Sequence, residues 1–211
     1  MLALARESRQ RGWWQTYAEA IPDWFATYVG LEAEAASISV YQAEYVPGLL
    51  QTREYAEAAN RAALMTASDD EIEKVVAVRM TRQKRLEADD APQLWAVLNE
   101  AVIRRMVGGR AIMRDQILRL IEVSRSPGTL IQVLPFSAGA HPAMDSAFCI
   151  LGFREATDGD VVYFEHPTCS LYLEKPAEVA RYRLSFDHLR AASHSVDESR
   201  RLLTRAAEEL A

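Results

Sequence analysis

The sequence predicts an α+β fold: a mixed β-sheet containing a β-α-β unit and a hairpin, with a helical layer at the N-terminal side and two helices at the C-terminal end. Three observations carry the prediction. An unbroken apolar run, Leu94 to Leu98 (LWAVL), and a second run, Thr129 to Leu134 (TLIQVL), are separated by a strongly periodic helix from Ile112 to Val123. A connection that long joins two parallel strands by a crossover. Next, Ala147 to Phe153 and Val161 to Glu165 flank the segment Ala156-Thr157-Asp158-Gly159-Asp160, whose Asp-Gly pair marks a hairpin and makes the sheet mixed. Finally, Ser68 with Glu71 and Ser195 with Glu198 are two capping boxes, each opening a helix.

The elements follow in order. Residues 1–12 read as a linker or the end of a preceding helix, and residues 13–211 as the body, with a helical subregion 13–90 and a sheet-containing core 93–211. Trp13, Trp14 and Tyr17 precede a break at Ile21-Pro22, after which Trp24, Phe25, Tyr28, Val29 and Leu31 are the apolar positions of a helix. Ser37 to Gln42 alternates with β-branched and aromatic residues, as a strand does. Val46-Pro47-Gly48 makes a turn, and a helical pattern resumes from Leu49 to Leu64. The helix opened by Ser68 extends to about Leu86 with Ile72, Val75, Val76 and Leu86 inward, and Asp89-Asp90-Ala91-Pro92 ends it. LWAVL has the pattern of a strand buried on both faces. Gly108-Gly109 and Ser126-Pro127-Gly128 bracket the crossover helix. Leu171 to Leu173 supplies an edge strand, Pro176 starts a helix with a stripe of Val179, Tyr182, Phe186 and Leu189, and the last helix reaches about Leu210.

Composition narrows the function classes. With 211 residues, 24 Lys plus Arg, 30 Asp plus Glu and a net charge of −6, the chain lacks the positive balance needed to grip a nucleic-acid backbone by itself. No apolar run approaches the roughly 18 to 20 residues of a membrane span, and the N-terminus lacks a secretory pattern, so a cytoplasmic location is expected. Two cysteines, Cys149 and Cys169, cannot build a disulfide scaffold; Cys149, in an apolar run, reads as a buried thiol. The histidines at 141, 166, 188 and 194 have no metal-site spacing, and no metal or cofactor is expected. There is no GxSxG elbow, Gly-rich phosphate loop or dinucleotide fingerprint.

Open α/β sheets hold ligands at the carboxyl ends of their parallel strands. Those ends carry Asn99 and Glu100 after one strand and the loop Pro135 to Ser146, with His141 and Asp145, after the other; a polar cleft is expected there. Against it stands the plainer possibility of an exposed loop histidine and a surface acid. Glu165 and His166 end a hairpin strand, and since neighbours on a strand point oppositely, at most one of them faces any cleft. Arg79 and Arg82 share a helix face in the densest basic cluster, with Lys84 and Arg85, and Arg104 and Arg105 further on; they would suit an acidic partner or a phosphate, a solvated helix face being the commoner outcome. Trp24, with Trp13 and Trp14, is either an interface anchor or internal packing.

The stretches Trp13-Trp14 through Trp24-Phe25 to Tyr28-Val29-Gly30-Leu31-Glu32, Tyr45-Val46-Pro47-Gly48-Leu49-Leu50-Gln51-Thr52, Gln132 to Phe136 with Gly139-Ala140-His141-Pro142, and Leu171-Tyr172-Leu173-Glu174 resemble the C-terminal domain of actinobacterial WhiJ-like, antitoxin-like transcriptional regulators. In that family the domain follows a DNA-reading helix-turn-helix and the regulator acts beside a small partner protein. Only about a dozen residues precede Trp13, too few for such a reader. DNA binding is thus implied for a parent protein, and a homodimer is expected. A weaker resemblance links the strand, helix, strand, hairpin, helix order to a phospholipase D-type domain. Its catalytic signature places a lysine two residues after a histidine, whereas His141-Pro142-Ala143 has none.

Together these point to a non-catalytic domain that senses a small-molecule effector or binds a protein partner and relays the event to an attached DNA reader. Its expected binding residues are Asn99, Glu100, His141, Asp145, Glu165, Trp24, Arg79 and Arg82. Two alternatives stay open: a hydrolase using His141 with Glu100, Asp145 or Glu165, and a dimerisation scaffold with a symmetric interface and no pocket.

Overall fold

In the computed structural model, which describes residues 23–155 and 159–211, six strands form one mixed sheet in the order β3-β2-β1-β4-β5-β6. These are β1 (Ser37–Gln42), β2 (Gln93–Asn99), β3 (Thr129–Leu134), β4 (Phe148–Gly152), β5 (Val161–His166) and β6 (Cys169–Leu173). Strand β2 runs parallel to both β1 and β3, while β4, β5 and β6 are antiparallel to their neighbours. The seam between parallel and antiparallel halves therefore falls at β1 and β4, in the middle of the sheet. The described residues also form seven helices: α1 (Asp23–Glu34), α2 (Arg53–Ala63), α3 (Asp69–Gln83), α4 (Glu100–Arg104), α5 (Arg110–Val123), α6 (Pro176–Ala192) and α7 (Val196–Glu209).

Strand alternation sorts the core into two layers. Ile38 and Val40 of β1, Leu94, Ala96 and Leu98 of β2, Cys149 of β4 and Tyr163 of β5 face one side. There they pack with Tyr28 and Leu31 of α1, Tyr55 of α2, Ile117 and Leu120 of α5 and Leu203 of α7. Tyr41, Val97, Phe148, Val162 and Phe164 face the other, under Val179, Phe186 and Leu189 of α6. Residues Ala96 and Val97 are both fully buried, so LWAVL is covered on both faces as its unbroken apolar run predicts. Helix α3 forms a second shell, with Val78 against Val29 of α1, and Ile72 and Val76 against Ala56 of α2.

Both capping boxes form. The Ser68 hydroxyl accepts from Glu71 N–H while the Glu71 carboxylate accepts from Ser68 N–H, and Ser195 and Glu198 repeat the arrangement on α7. Helix α7 also protects an open edge: its approach lets His194 N–H donate to Val133 O at 3.0 Å, and lets the Ser199 hydroxyl accept from Val133 N–H at 2.9 Å. These groups stand in for the strand partner that β3 lacks on that side among the described residues.

Two local expectations need correction, and one short element was not expected. The helical pattern from Leu49 is interrupted, because Gln51 is extended and the Thr52 hydroxyl accepts from Tyr55 N–H, so a 3-10 turn at Gly48–Leu50 precedes α2. The α-helix opened by Ser68 stops at Gln83 and tightens into a 3-10 turn over Lys84–Glu87, leaving Val75 and Leu86 only partly buried while Val78 takes an inner place. Directly after β2 comes the short helix α4, which the Asn99 side chain caps by accepting from Ala101 N–H at 2.9 Å. Trp13, Trp14, Tyr17, the linker 1–12 and the centre of the Asp-Gly turn lie outside the described residues.

Candidate functional site

A cavity of about 90 Å³ lies on the α1 side of the sheet, over the seam between β1 and β4 and toward the carboxyl end of β1. Its floor is the alternating set Ile38, Val40 and Gln42, with Cys149 and Tyr163 from the antiparallel half. Phe25, Tyr28 and Glu32 of α1 form one wall, Gly48 and Leu49 another, and Arg79 and Arg82 descend from α3. Exposed residues Tyr45 and Glu165 mark its mouth.

Residues three apart on a helix share a face, and here that face carries both arginines inward. Arg82 is paired with a carboxylate. Its Nε and Nη2 donate to the two carboxylate oxygens of Glu32 at 2.8 and 2.7 Å, with side-chain exposures of only 7% and 3%. Its guanidinium also lies 5.0 Å from the centre of the Phe25 ring and 5.3 Å from that of Tyr28. Burial works to strip the Arg82 proton, but the Glu32 carboxylate outweighs it and holds the pKa above the ordinary arginine value.

Arg79 is different. Its Nη1 donates to the neutral amide oxygen of Gln51 at 2.6 Å, and Gln51 in turn donates to Val46 O at 2.6 Å. Among the described residues no carboxylate pairs with it in the way Glu32 pairs with Arg82, although the Glu165 charge acts on it, and its Nε is buried without a hydrogen-bond partner. Burial, reinforced by the Arg82 cation, lowers its pKa to about 10. On the facing strand the Gln42 amide oxygen is likewise buried and unpartnered. Buried polar atoms are nearly always satisfied, so an orphaned donor and an orphaned acceptor lining one cavity single it out.

The remaining groups hold the lining in place. Tyr28 stacks on Tyr163 with ring centres 4.1 Å apart, and Tyr163 meets Tyr172 at 5.1 Å. The Tyr172 hydroxyl donates to Trp24 O at 2.9 Å and so ties the start of α1 to β6. Burial pushes the Cys149 thiol up to about 12 and raises Tyr28 and Tyr163 well above the usual phenol range. The Tyr163 hydroxyl donates to Glu165 at 3.2 Å.

The expected site residues divide between the two faces of the sheet. Arg79, Arg82 and Glu165 come together at the cavity. Trp24 is half-buried next to it, edge-on to Phe25. On the α6 face the Tyr41 hydroxyl meets His141 Nε2 at 3.3 Å and bonds the Asn99 side chain, and burial lowers the His141 pKa. His141 Nδ1 accepts from Ala143 N–H at 3.3 Å. Glu100 pairs with Arg104 and accepts from Phe136 N–H at 3.1 Å, while Asp145 is exposed. The sheet thus separates His141 from Glu165. Of the other basic residues, Arg85 bridges Ala33 O and Asp90, Arg104 also reaches Glu209, and Arg105 pairs with Glu44.

Gln42, Tyr45, Gly48, Gln51 and Glu32 escaped selection from the sequence as site residues. One signal pointed toward them: Glu32 and the segment Tyr45 to Thr52 belong to the stretches that carry the family resemblance, and folding brings those stretches together around the cavity. Cys149 is buried and Cys169 exposed, both as free thiols. Among the described residues no cluster of His, Cys, Asp and Glu has metal-site geometry, and no helix is long and apolar enough to cross a membrane.

A mixed α+β chain with a small cavity at its parallel-to-antiparallel seam, lined by Arg79 and Arg82 and by Glu32 and Glu165, is the class that this geometry defines. The chain belongs to the family described as Domain of unknown function (DUF5753), whose model matches residues 25–205 and so takes in every lining residue of the cavity. No curated protein and no solved structure matches it.

Proposed function

We infer that this chain is the effector-sensing domain of a WhiJ-like, actinobacterial, antitoxin-like transcriptional regulator, cytoplasmic and non-catalytic, which passes ligand occupancy to a helix-turn-helix in its parent protein. The observation that carries the reading is the cavity lined by both a buried, unpartnered Arg79 Nε and a buried, unpaired Gln42 oxygen. Its walls come from elements of different sequence origin, α1, α3, the Gly48 turn and the seam strands, so a ligand binding there draws α1 and α3 onto the sheet. Because α1 stands at the N-terminal side of the described residues, its position against β5 and β6 is the natural element for coupling to a preceding reader. A ligand favouring one α1 position shifts the population of that position, and linkage makes the effect reciprocal.

The test uses a regulator in which this domain is joined to its helix-turn-helix. Operator affinity is measured by fluorescence anisotropy with and without a ligand shown by calorimetry to bind the cavity. Coupling free energies of about 1–3 kcal/mol correspond to changes of roughly 5- to 150-fold, and a change in that range is expected. Equal affinities with and without bound ligand would refute the relay. A small partner protein and a homodimer belong to the same proposal by the family resemblance, and analytical ultracentrifugation of the chain checks the dimer.

A further inference from the structure

The polar wall of the cavity has a chemical polarity that limits what fits it. Its cation, Arg79, has spent one nitrogen on a neutral amide and keeps Nε unpartnered, while the Glu32 carboxylate is engaged at both oxygens by Arg82. That leaves Arg79 with no ion pair among the described residues, Glu165 acting on it only through its charge from elsewhere in the lining. Its orphaned counterpart, Gln42 Oε1, is an acceptor and wants a hydrogen-bond donor. Ile38, Val40, Leu49 and Leu94 give the lining an apolar stretch, and about 90 Å³ suits a short carbon chain.

We propose that the cavity binds a short aliphatic monocarboxylate bearing a hydroxyl or amino group, its carboxylate on Arg79 and its donor on Gln42. The inference rests on the sensing reading above and deepens it. A phosphate dianion suits the site poorly: it would face the Gln42 oxygen and the Glu165 carboxylate at the mouth with a single arginine to offset two charges. A neutral amide would leave the charge of Arg79 unmatched. Gly48 keeps the place open. A Cβ at this position would stand 3.6 Å from Arg79 Nε and 3.7 Å from Arg82 Nη1, ordinary contacts, and Gly48 is not among the positive-φ glycines. A long side chain there would fill the space beside Nε and remove no polar group.

The experiment is isothermal calorimetry on the purified chain with 3-hydroxybutyrate and valine, which carry both groups, isovalerate, which lacks the donor, isovaleramide, which lacks the charge, and inorganic phosphate. The hydroxy or amino acid is expected to bind, and isovalerate to bind about fivefold to tenfold more weakly, the value of one net hydrogen bond. Isovaleramide and phosphate are expected to give no heat. Arg79→Gln is expected to abolish binding, and Gln42→Leu to reduce the substituted acids to the level of isovalerate. Folding of each variant is checked by circular dichroism. Failure of all the acids to bind, phosphate binding as tightly as they do, or binding that survives Arg79→Gln would overturn the proposal. Thermal shifts with the small-molecule fraction of host cells separate the two levels of inference. If the acids are inert yet the extract stabilises the wild type and not Gly48→Leu, the ligand class is wrong and the sensing reading stands. An extract that stabilises neither, or both equally, refutes both.

Discussion

Replacing Arg79 by glutamine should make the ligand-free chain more stable, the reverse of what most substitutions at buried positions do. Burial and the neighbouring Arg82 take the Arg79 pKa from its ordinary 12.5 to about 10, and at about 1.4 kcal/mol per tenfold that is roughly 3 kcal/mol against keeping the charge in the folded state. The penalty is present in full at neutral pH. It fades only as pH climbs from 10 toward 12.5, where the folded chain has released the proton and the unfolded chain still holds it. Set against the gain is the 2.6 Å bond to Gln51, whose loss leaves a buried amide oxygen unpaired at a cost of about 1–2 kcal/mol. The net is stabilisation by about 1–2 kcal/mol, a rise in Tm of roughly 2–8 °C for a domain of this size. Differential scanning calorimetry at pH 7 reads it directly. A fall in Tm of several degrees would show that the Arg79 charge is already compensated, and the reasoning for an anion site would collapse with it.

Glu32→Gln should lower stability by about 3–5 kcal/mol because it strands the buried Arg82 cation, while Glu32→Leu with Arg82→Met recovers most of the loss; urea unfolding compares the two. Ser199→Ala removes the acceptor for the edge amide of Val133 and should cost about 1–3 kcal/mol, with faster hydrogen exchange at that amide. Iodoacetamide at pH 8 should label Cys169 and spare Cys149, whose thiol is buried and shifted to about 12, as mass spectrometry would show. Burial lowers the His141 pKa, so between its folded value and 6.5 the unfolded chain binds the proton that the folded chain refuses. Stability contributed by the neutral ring is therefore complete above 6.5 and lost as pH falls through that window. An NMR titration midpoint at or above 6.5 would contradict this.

The parts of the fold written in local chemistry were legible. Ser68 with Glu71 and Ser195 with Glu198 announce their helices because the partners lie three residues apart. LWAVL announces a strand because burial on both faces forbids polar alternation. Gly108, Gly109 and Gly128 mark their turns and adopt positive φ there. The break between Leu50 and Arg53 was not legible, since the helical spacing of apolar residues continues across it and only the Thr52 hydroxyl sets the true start. The candidate site was legible in halves. Helical spacing put Arg79 and Arg82 on one face, and strand alternation allowed Glu165 or His166, not both, to face a cleft. What spacing does not encode is that Glu32, fifty residues from Arg82, neutralises one arginine and leaves the other unmatched. The expectation of one polar cleft at the strand ends divided for a related reason: Tyr41 and Gln42 are neighbours in sequence and point to opposite faces.

An experimental structure of the chain crystallised with saturating 3-hydroxybutyrate tests the central claim most directly. Density for the ligand is expected over the β1 and β4 seam, with its carboxylate on Arg79 Nε and its hydroxyl donating to the Gln42 oxygen. A cavity holding only water, or the acid bound at another surface, would contradict the assignment of this site to a hydroxy or amino acid.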